Sequence, residues 1–177
     1  IEYRVFCMPI GEPKSADVEA AAHQAAESGC GAIVAFGGGS ALDAAKAVVL
    51  LLANPGKTVC DLEEAAHIQP RTMPLVAVPT TAGTGSEATT VTVITDSIRH
   101  VKRILIHDSL MPDLAIIDAC LMLGVPQHVT AATGMDAPVT MDMKNPVTLR
   151  YMSFQTGCGK KLRAKMTAAI KAISPEI

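Results

Sequence analysis

Aromatic and charged residues are both scarce in this chain of 177 residues. Aromatic side chains make up 3% of the sequence and tryptophan is absent, so the core has to be built from Ala, Val, Ile, Leu and Met. Charged residues make up 18% against 49% hydrophobic ones, a balance that excludes an intrinsically disordered chain. The net charge is −2, and no basic cluster is large enough to neutralise phosphates along a nucleic acid. We therefore expect no nucleic-acid partner.

Paired cysteines, long apolar segments and a signal peptide are also missing. The five cysteines are odd in number and include no C-x-x-C pair, which favours reduced thiols over a disulfide framework or a zinc knuckle. No apolar segment is long enough to span a bilayer, and the N-terminus does not have the layout of a signal peptide. We expect a cytoplasmic protein with no membrane partner. Because the chain starts at Ile1 and not at Met, we also expect further residues upstream.

A strand, a turn of three glycines and a helix follow one another in the first third of the chain. The apolar run at 32–36 leads into Gly37-Gly-Gly-Ser40 and then into an apolar helical pattern at 41–52. Glycine permits both the sharp turn and the close approach of a ligand to the backbone. The first N–H groups of the helix favour an anion, and a diphosphate is the natural candidate. The alternative interpretation is that Ser40 and Asp43 only form a capping box.

A second loop of small residues follows the apolar strand predicted at 74–78. It has the sequence Pro79-Thr-Thr-Ala-Gly-Thr-Gly-Ser-Glu87, in which hydroxyls and bare backbone can bind phosphate and ribose oxygens. Two such loops, each at the C-terminal end of an apolar strand, are the arrangement in which open α/β sheets hold ligands. The alternative is a Ser/Thr turn with incidental glycines.

The other patterns complete an α/β fold, a Rossmann-like parallel sheet with flanking helices and a β-hairpin. They predict helices at 18–27, 60–66 and from about His128, hairpin strands at 90–95 and 101–106, and a buried strand at 114–118. After Ala137 the pattern changes. Residues 138–146 are interrupted by prolines, and 160–173 form a basic, Ala-rich segment that we interpret as a solvated helix face.

Motifs in four places resemble, in the same order, those of the iron-containing (group III) alcohol dehydrogenases, whose fold is dehydroquinate synthase-like. They are Gly37-Gly-Gly-Ser40 with Asp43 and Lys46, the loop from Pro79 to Glu87, Leu110 to Asp118, and Thr130 to Ala137. Within the family, the amino-acid sequence at 11–13, 27–30 and 42–48 is most similar to that of the ethanol dehydrogenases of ethanolamine utilisation. The resemblance covers about residues 5–137. It implies a dinucleotide-binding domain at 1–137 that lacks its first strand, and an atypical tail at 138–177 in place of the helical metal-binding domain, which is missing or scrambled.

The resemblance implies a set of cofactor-binding residues, with NAD as the cofactor and NADP left open. Gly38, Gly39 and Ser40 would hold the pyrophosphate. Three threonines would line the cofactor cleft with a fourth nearby, namely Thr80, Thr81 and Thr84, and then Thr89. Lys102 matches the cofactor-facing lysine of the family, on the nicotinamide ribose, although without the family it is an ordinary hairpin charge.

The resemblance also implies a catalytic Fe²⁺ that polarises the alcohol oxygen while hydride leaves for the nicotinamide. Asp136 matches its first ligand. The family places a histidine four residues later, where this chain has Thr140, and no histidine occurs after His128. One carboxylate cannot form an iron site, so the ligand set is incomplete here and no catalytic residue is assigned.

The function that the resemblance implies is NAD- and iron-dependent oxidation of a small primary alcohol, ethanol-like, to its aldehyde and back. The partners are then the alcohol and aldehyde, with a homodimer for the full-length protein. One alternative is a non-catalytic nucleotide-binding fragment, and another is a further family member such as a propanediol or lactaldehyde-type dehydrogenase. A flavodoxin-like regulatory domain is disfavoured because the sequence lacks the acidic cluster and switch lysine of such domains.

Overall fold

The computed structural model describes residues 2–140 and 151–153 of the chain. This part of the chain contains both helices and strands. In chain order they are α1 (Ser15–Ser28), β1 (Ile33–Gly37), α2 (Gly39–Ala53), α3 (Val59–Glu64), β2 (Leu75–Pro79), β3 (Val91–Thr95), β4 (Lys102–Ile106), β5 (Leu114–Ile117), α4 (Gln127–Thr140) and β6 (Tyr151–Ser153), with short 3₁₀ turns at Ser86–Ala88, Asp108–Leu110 and Ala119–Met122.

Strands β1, β2, β5 and β6 form one parallel sheet in the order β1-β2-β5-β6. Strand β2 is buried at every position, as expected for a central parallel strand that is covered on both faces. The predicted α/β fold with a parallel sheet and flanking helices is confirmed. Strand β6 was not predicted, because the prolines and missing periodicity around it give no local strand signal.

Strands β3 and β4 form the predicted β-hairpin, which is confirmed as a separate antiparallel pair. Its register pairs Val91 with Ile106 at one end and Thr95 with Lys102 at the other. At the tip, the Asp96 carboxylate accepts hydrogen bonds from the backbone N–H groups of Ile98 and Arg99, at 2.9 and 3.0 Å. These bonds close the turn and so keep the register of the two strands.

Helix α2 packs between the sheet and the hairpin, and it is buried almost all round. On one side Leu42 and Val49 contact sheet residues that include Leu75. On another side the helix packs against Ile94 and Leu105 of the hairpin. An Ala- and Leu-rich helix suits this place because small and unbranched side chains allow close approach on several faces. No helix in the described ranges has both the length and the apolar character needed to cross a membrane.

The ends of the helices follow the predicted signals in part. Gly29, in the left-handed region at φ 61°, ends α1 as predicted. The capping box predicted for Ser40 and Asp43 is wrong, because α2 begins at Gly39 with Gly38 as its N-cap residue and has no side-chain cap. Asp43 lies too far into the helix to reach back, and its carboxylate accepts a hydrogen bond from the hairpin instead.

Candidate functional site

The two loops predicted to bind a ligand start side by side at one edge of the sheet. Gly37, the last residue of β1, pairs with Pro79, the last residue of β2. One further hydrogen bond follows beyond the strands: the Thr80 N–H donates to the Gly37 carbonyl at 2.8 Å. The carboxyl ends of parallel strands are where such sheets bind ligands, so the register brings both loops to that position.

The threonine loop lies directly over the glycine turn. A Cβ atom on Gly38 would lie 3.2 Å from Thr81 Oγ1, and one on Gly39 would lie 3.0 Å from Thr84 Cγ2. Both separations are tighter than ordinary van der Waals contacts of a Cβ atom. The structure therefore brings these four predicted residues together, and glycine at positions 38 and 39 permits the close approach of the two loops.

The N-terminus of α2 has the properties of an anion site. Its first N–H groups have no partner within the helix, and no side chain caps them. Ser40 is exposed in this first turn. Among the described residues, the buried hydroxyl of Thr81 has no hydrogen-bond partner. An unpaired hydroxyl beside uncapped amides fits a diphosphate, whose oxygens accept from both.

A shallow cleft of about 160 Å³ connects the glycine turn to the hairpin. Its walls include Ser40 and Lys102, two of the residues predicted for the cofactor. The Lys102 Nζ atom lies 2.8 Å from Glu12 Oε1, and the other oxygen of Glu12 accepts from the Thr95 hydroxyl at 2.9 Å. The hydrogen bond from Lys102 lowers the pKa of Glu12, so this carboxylate is ionised and holds Lys102 at the cleft.

A buried lysine lies behind the cleft. Lys46 of α2 is fully buried, and its Nζ atom donates to the Thr89 carbonyl at 2.8 Å, the Thr89 hydroxyl at 2.9 Å and the Val91 carbonyl at 3.0 Å. The Thr89 hydroxyl, predicted near the cofactor cleft, is thus engaged by Lys46. Burial lowers the pKa of Lys46 to about 8, against the opposing charges of Asp43 and Glu87. Burial likewise raises the pKa of Asp43.

The lowered pKa of Lys46 predicts that stability increases with pH above 8. Between about pH 8 and 10.5, Lys46 binds a proton in the unfolded chain but not in the folded one, so the free energy of unfolding should increase over this interval. The gain from this one group is at most about 3 kcal/mol. Urea unfolding of the wild type and of Lys46→Met across this range isolates it. A slope that is the same in both proteins would contradict the assignment.

The predicted metal ligand, Asp136, lies in the last two turns of α4, and its side chain is outside the described residues. Within the described part of the chain, no group of three or more His, Cys, Asp or Glu side chains is arranged to hold a metal ion. The described residues therefore do not by themselves make up an iron site.

Helix α4 approaches the threonine loop through its backbone. Gly83, in the middle of that loop, has a φ of +92°, and a Cβ atom there would overlap the carbonyl of Thr133. This close contact connects the loop to the helix that carries Asp136. Glycine is required at this position both for its backbone conformation and for the space.

Sequence reasoning missed two residues of this site. Glu12 gave no signal, because its contact with Thr95 spans 83 residues of sequence. Lys46 belongs to the first motif of the resemblance but had no assigned role; it lies four residues after Leu42 and three before Val49, so helical spacing groups it with buried apolar positions. A lysine at such a position indicates either a buried polar network or a functional group.

Comparisons with known proteins match the same part of the chain. The family described as iron-containing alcohol dehydrogenase matches residues 1–119. The probable alcohol dehydrogenase EutG of Escherichia coli (strain K12) is 60% identical over 129 residues, which cover 73% of this chain and 32% of that protein. The NAD-dependent methanol dehydrogenase of Bacillus methanolicus is 42% identical over 137 residues, which cover 75% of this chain and 35% of that one.

Solved structures match as well. The crystal structure of sulfoacetaldehyde reductase from Bifidobacterium kashiwanohense in complex with NAD⁺ has a TM-score of 0.67 and 36% identity, covering 73% of this chain and 34% of that one. The iron-containing alcohol dehydrogenase TM0920 of Thermotoga maritima has a TM-score of 0.69 and 32% identity, covering 77% and 37%. The chain spans about a third of the length of the curated relatives it matches.

Proposed function

Because the chain belongs to the iron-containing alcohol dehydrogenase family, we propose that it forms the dinucleotide-binding part of an NAD-dependent enzyme that interconverts a small primary alcohol and its aldehyde. The observation that carries this proposal is the pair of loops at the strand ends. An uncapped helix N-terminus, two glycines and the unpaired Thr81 hydroxyl converge there on a space suited to an anion. Free backbone amides at a helix N-terminus are a common binding site for phosphate groups.

The residues of this site divide between two parts of the cofactor. The backbone N–H groups of Gly39 and Ser40, with the hydroxyls of Ser40 and Thr81, would donate to the diphosphate. Lys102 would donate to the nicotinamide ribose and add a positive charge at the far end of the same cleft. Thr80 and Thr84 complete the wall of the threonine loop. When bound, NAD⁺ supplies the hydride acceptor, and the chain's own part is to bind and orient it.

The activities for which the relatives are named support NAD and a primary alcohol. One solved relative contains NAD⁺, and another relative is described as NAD-dependent. Methanol, 1,3-propanediol and 4-hydroxybutyrate, which appear in these names, are all primary alcohols. For this chain we propose an ethanol-like alcohol, and its 60% identity with the probable alcohol dehydrogenase EutG supports this choice. A propanediol-type substrate and NADP are the neighbouring alternatives.

A second candidate function is binding of the dinucleotide without turnover. It is favoured by one observation: the donor groups in the described part of the chain do not complete a metal site, with Asp136 the one proposed ligand. In this case the chain holds NAD⁺ at the glycine turn and leaves the alcohol untouched.

We further propose a dinucleotide-binding domain at 1–137, a distinct tail at 138–177, a cytoplasmic location and a homodimer for the full-length protein. The tail is not wholly separate, since Tyr151–Ser153 pairs with β5 and extends the sheet. No other role is proposed for it.

Titration of the full chain with NAD⁺ tests the proposal. Calorimetry should detect binding, and NAD⁺ should raise the unfolding temperature. An ethanol oxidation assay that follows NADH absorbance, combined with metal analysis, then separates the two candidates. Turnover with bound iron supports the enzyme, and binding without turnover supports the binding module. If NAD⁺ and ADP both fail to bind, the proposed function is wrong.

Lys102→Ala should weaken NAD⁺ binding by roughly 1 kcal/mol, since a hydrogen bond from a charged group at an exposed site contributes about this much. The effect is limited because Lys102 is 62% exposed and already paired with Glu12. Calorimetric titration measures the change. Arg99→Ala is the matched control, because it removes one positive charge from the same hairpin at a residue outside the cleft lining. Equal affinities for wild type and Lys102→Ala would remove Lys102 from the site.

A further inference from the structure

The hairpin that carries Lys102 has no strand pairing with the main sheet. A two-stranded hairpin alone is at best marginally stable in water, so its position depends on what it packs against. At the tip end, the Thr95 N–H donates to the Pro13 carbonyl at 2.8 Å. On its outer strand, the Ile104 N–H donates to Glu63 of α3 at 3.0 Å. Most of the remaining polar contacts of β3 come from α2.

Two residues of α2 provide these contacts. Lys46 binds the entry to β3 through its three hydrogen bonds to Thr89 and Val91. Asp43 binds the next two residues: its carbonyl accepts from the Thr92 hydroxyl at 2.7 Å, and its carboxylate accepts from the Val93 N–H at 3.1 Å. Because Asp43 and Lys46 are three residues apart, they lie on one face of the helix.

We propose that Lys46, together with Asp43, is a positioning residue for the cofactor: it fixes β3 on α2 and thereby holds Lys102 at a set distance from the glycine turn. Lys102 pairs with Thr95 across the hairpin, so its place follows from that of β3. The first turn of α2 then receives the diphosphate, and its second turn sets where the nicotinamide end is bound. This inference rests on the proposed function.

Lys46 cannot itself contact the cofactor. An ammonium group has three hydrogens, and each of them is used within the protein. The side chain is fully buried, and the nearby charges of Asp43 and Glu87 balance it from within the fold. Its effect on binding has to pass through the hairpin.

A double-mutant cycle with NAD⁺ and ADP as probes tests this role. ADP contains the diphosphate but lacks the nicotinamide ribose. Lys46→Met should weaken NAD⁺ binding about fivefold, as Lys102→Ala does, and leave ADP binding within about twofold of wild type. The double variant should bind NAD⁺ no more weakly than Lys102→Ala alone. The reason is that Lys46 is proposed to act through the Lys102 side chain, which Lys102→Ala already removes.

Two additional variants separate positioning from general destabilisation. Thr92→Val removes the hydrogen bond from the hairpin to the Asp43 carbonyl and keeps the shape of the side chain. We expect it to fold even if Lys46→Met does not. It should weaken the binding of NAD⁺ but not that of ADP. Val49→Ala creates a cavity on the sheet-facing side of the same helix, and it should lower the unfolding temperature without changing the ratio of NAD⁺ to ADP affinity.

Several results would overturn the inference. The first is additivity, with the double variant binding NAD⁺ about 25-fold more weakly than wild type. The second is that Lys46→Met and Thr92→Val lose as much affinity for ADP as for NAD⁺. The third is a changed ratio of NAD⁺ to ADP affinity in Val49→Ala. Any of these leaves the proposed function intact as long as wild type binds NAD⁺. Failure of wild type to bind both NAD⁺ and ADP overturns the function itself, and the positioning role with it.

Discussion

Gly39→Val is expected to abolish the protection that NAD⁺ gives the chain against thermal unfolding. With NAD⁺ at 100 times its Kd, the wild type should gain about 2.7 kcal/mol. For a chain of this size that corresponds to an increase of about 5–10 °C in unfolding temperature. The valine side chain would occupy the space over the helix N-terminus, where the diphosphate is proposed to bind, so the variant should gain nothing.

The variant should still fold. Gly39 does not have a positive φ, so a side chain is compatible with its backbone, and the residue it meets is the exposed Thr84, which has to shift by a few tenths of an ångström. Gly124→Val is the control, because a Cβ atom there meets nothing within 4 Å. It should keep the full protection by NAD⁺. Full protection in Gly39→Val as well would mean that the anion binds elsewhere.

Gly83→Ala should lower the free energy of unfolding by about 2–5 kcal/mol. Part of this loss, about 1–2 kcal/mol, is the cost of a side chain at φ +92°. The rest comes from the overlap of its Cβ atom with the Thr133 carbonyl, which forces α4 away from the threonine loop and costs about 1–3 kcal/mol. Urea unfolding monitored by circular dichroism measures the change.

Gly56→Ala isolates the contribution of the α4 contact. Gly56 has a similar φ of +82°, but a Cβ atom there meets nothing within 4 Å. The two variants share the backbone cost, so the difference between them measures the contact of α4 with the loop. Equal losses in the two variants would show that α4 does not pack on Gly83 in solution.

The order of strands and helices was largely predictable because their signals are local. The apolar run, the glycines and the helical pattern from residue 32 onward predicted β1, the turn and α2 within a few residues. The hairpin was predicted equally well, since two alternating strands flank a short polar turn. Strand β6 could not be predicted in this way, because its pairing with β5 depends on residues 36 positions earlier in the register.

The capping box predicted at Ser40 and Asp43 does not form, because of a contact made elsewhere in the fold. Both residues have the right types and spacing, and the same pattern does form a capping box at Thr58 and Asp61. At α2, however, the helix begins at Gly39, two residues before the start that a Ser40 cap requires, and Val93 offers an N–H to Asp43. The Asp43 carboxylate therefore accepts a hydrogen bond from Val93 of the hairpin and does not form the local cap.

The two loops and the strands that precede them were predictable from local sequence, because turns and periodicity depend on the conformations open to neighbouring residues. Which polar groups meet depends instead on how distant segments pack together. The acceptors of Lys46 lie 43 and 45 residues along the chain, and Glu12 meets Thr95 across 83. Burying an ammonium group is unfavourable unless such partners are in place, and their positions depend on the packing of the hairpin against α2.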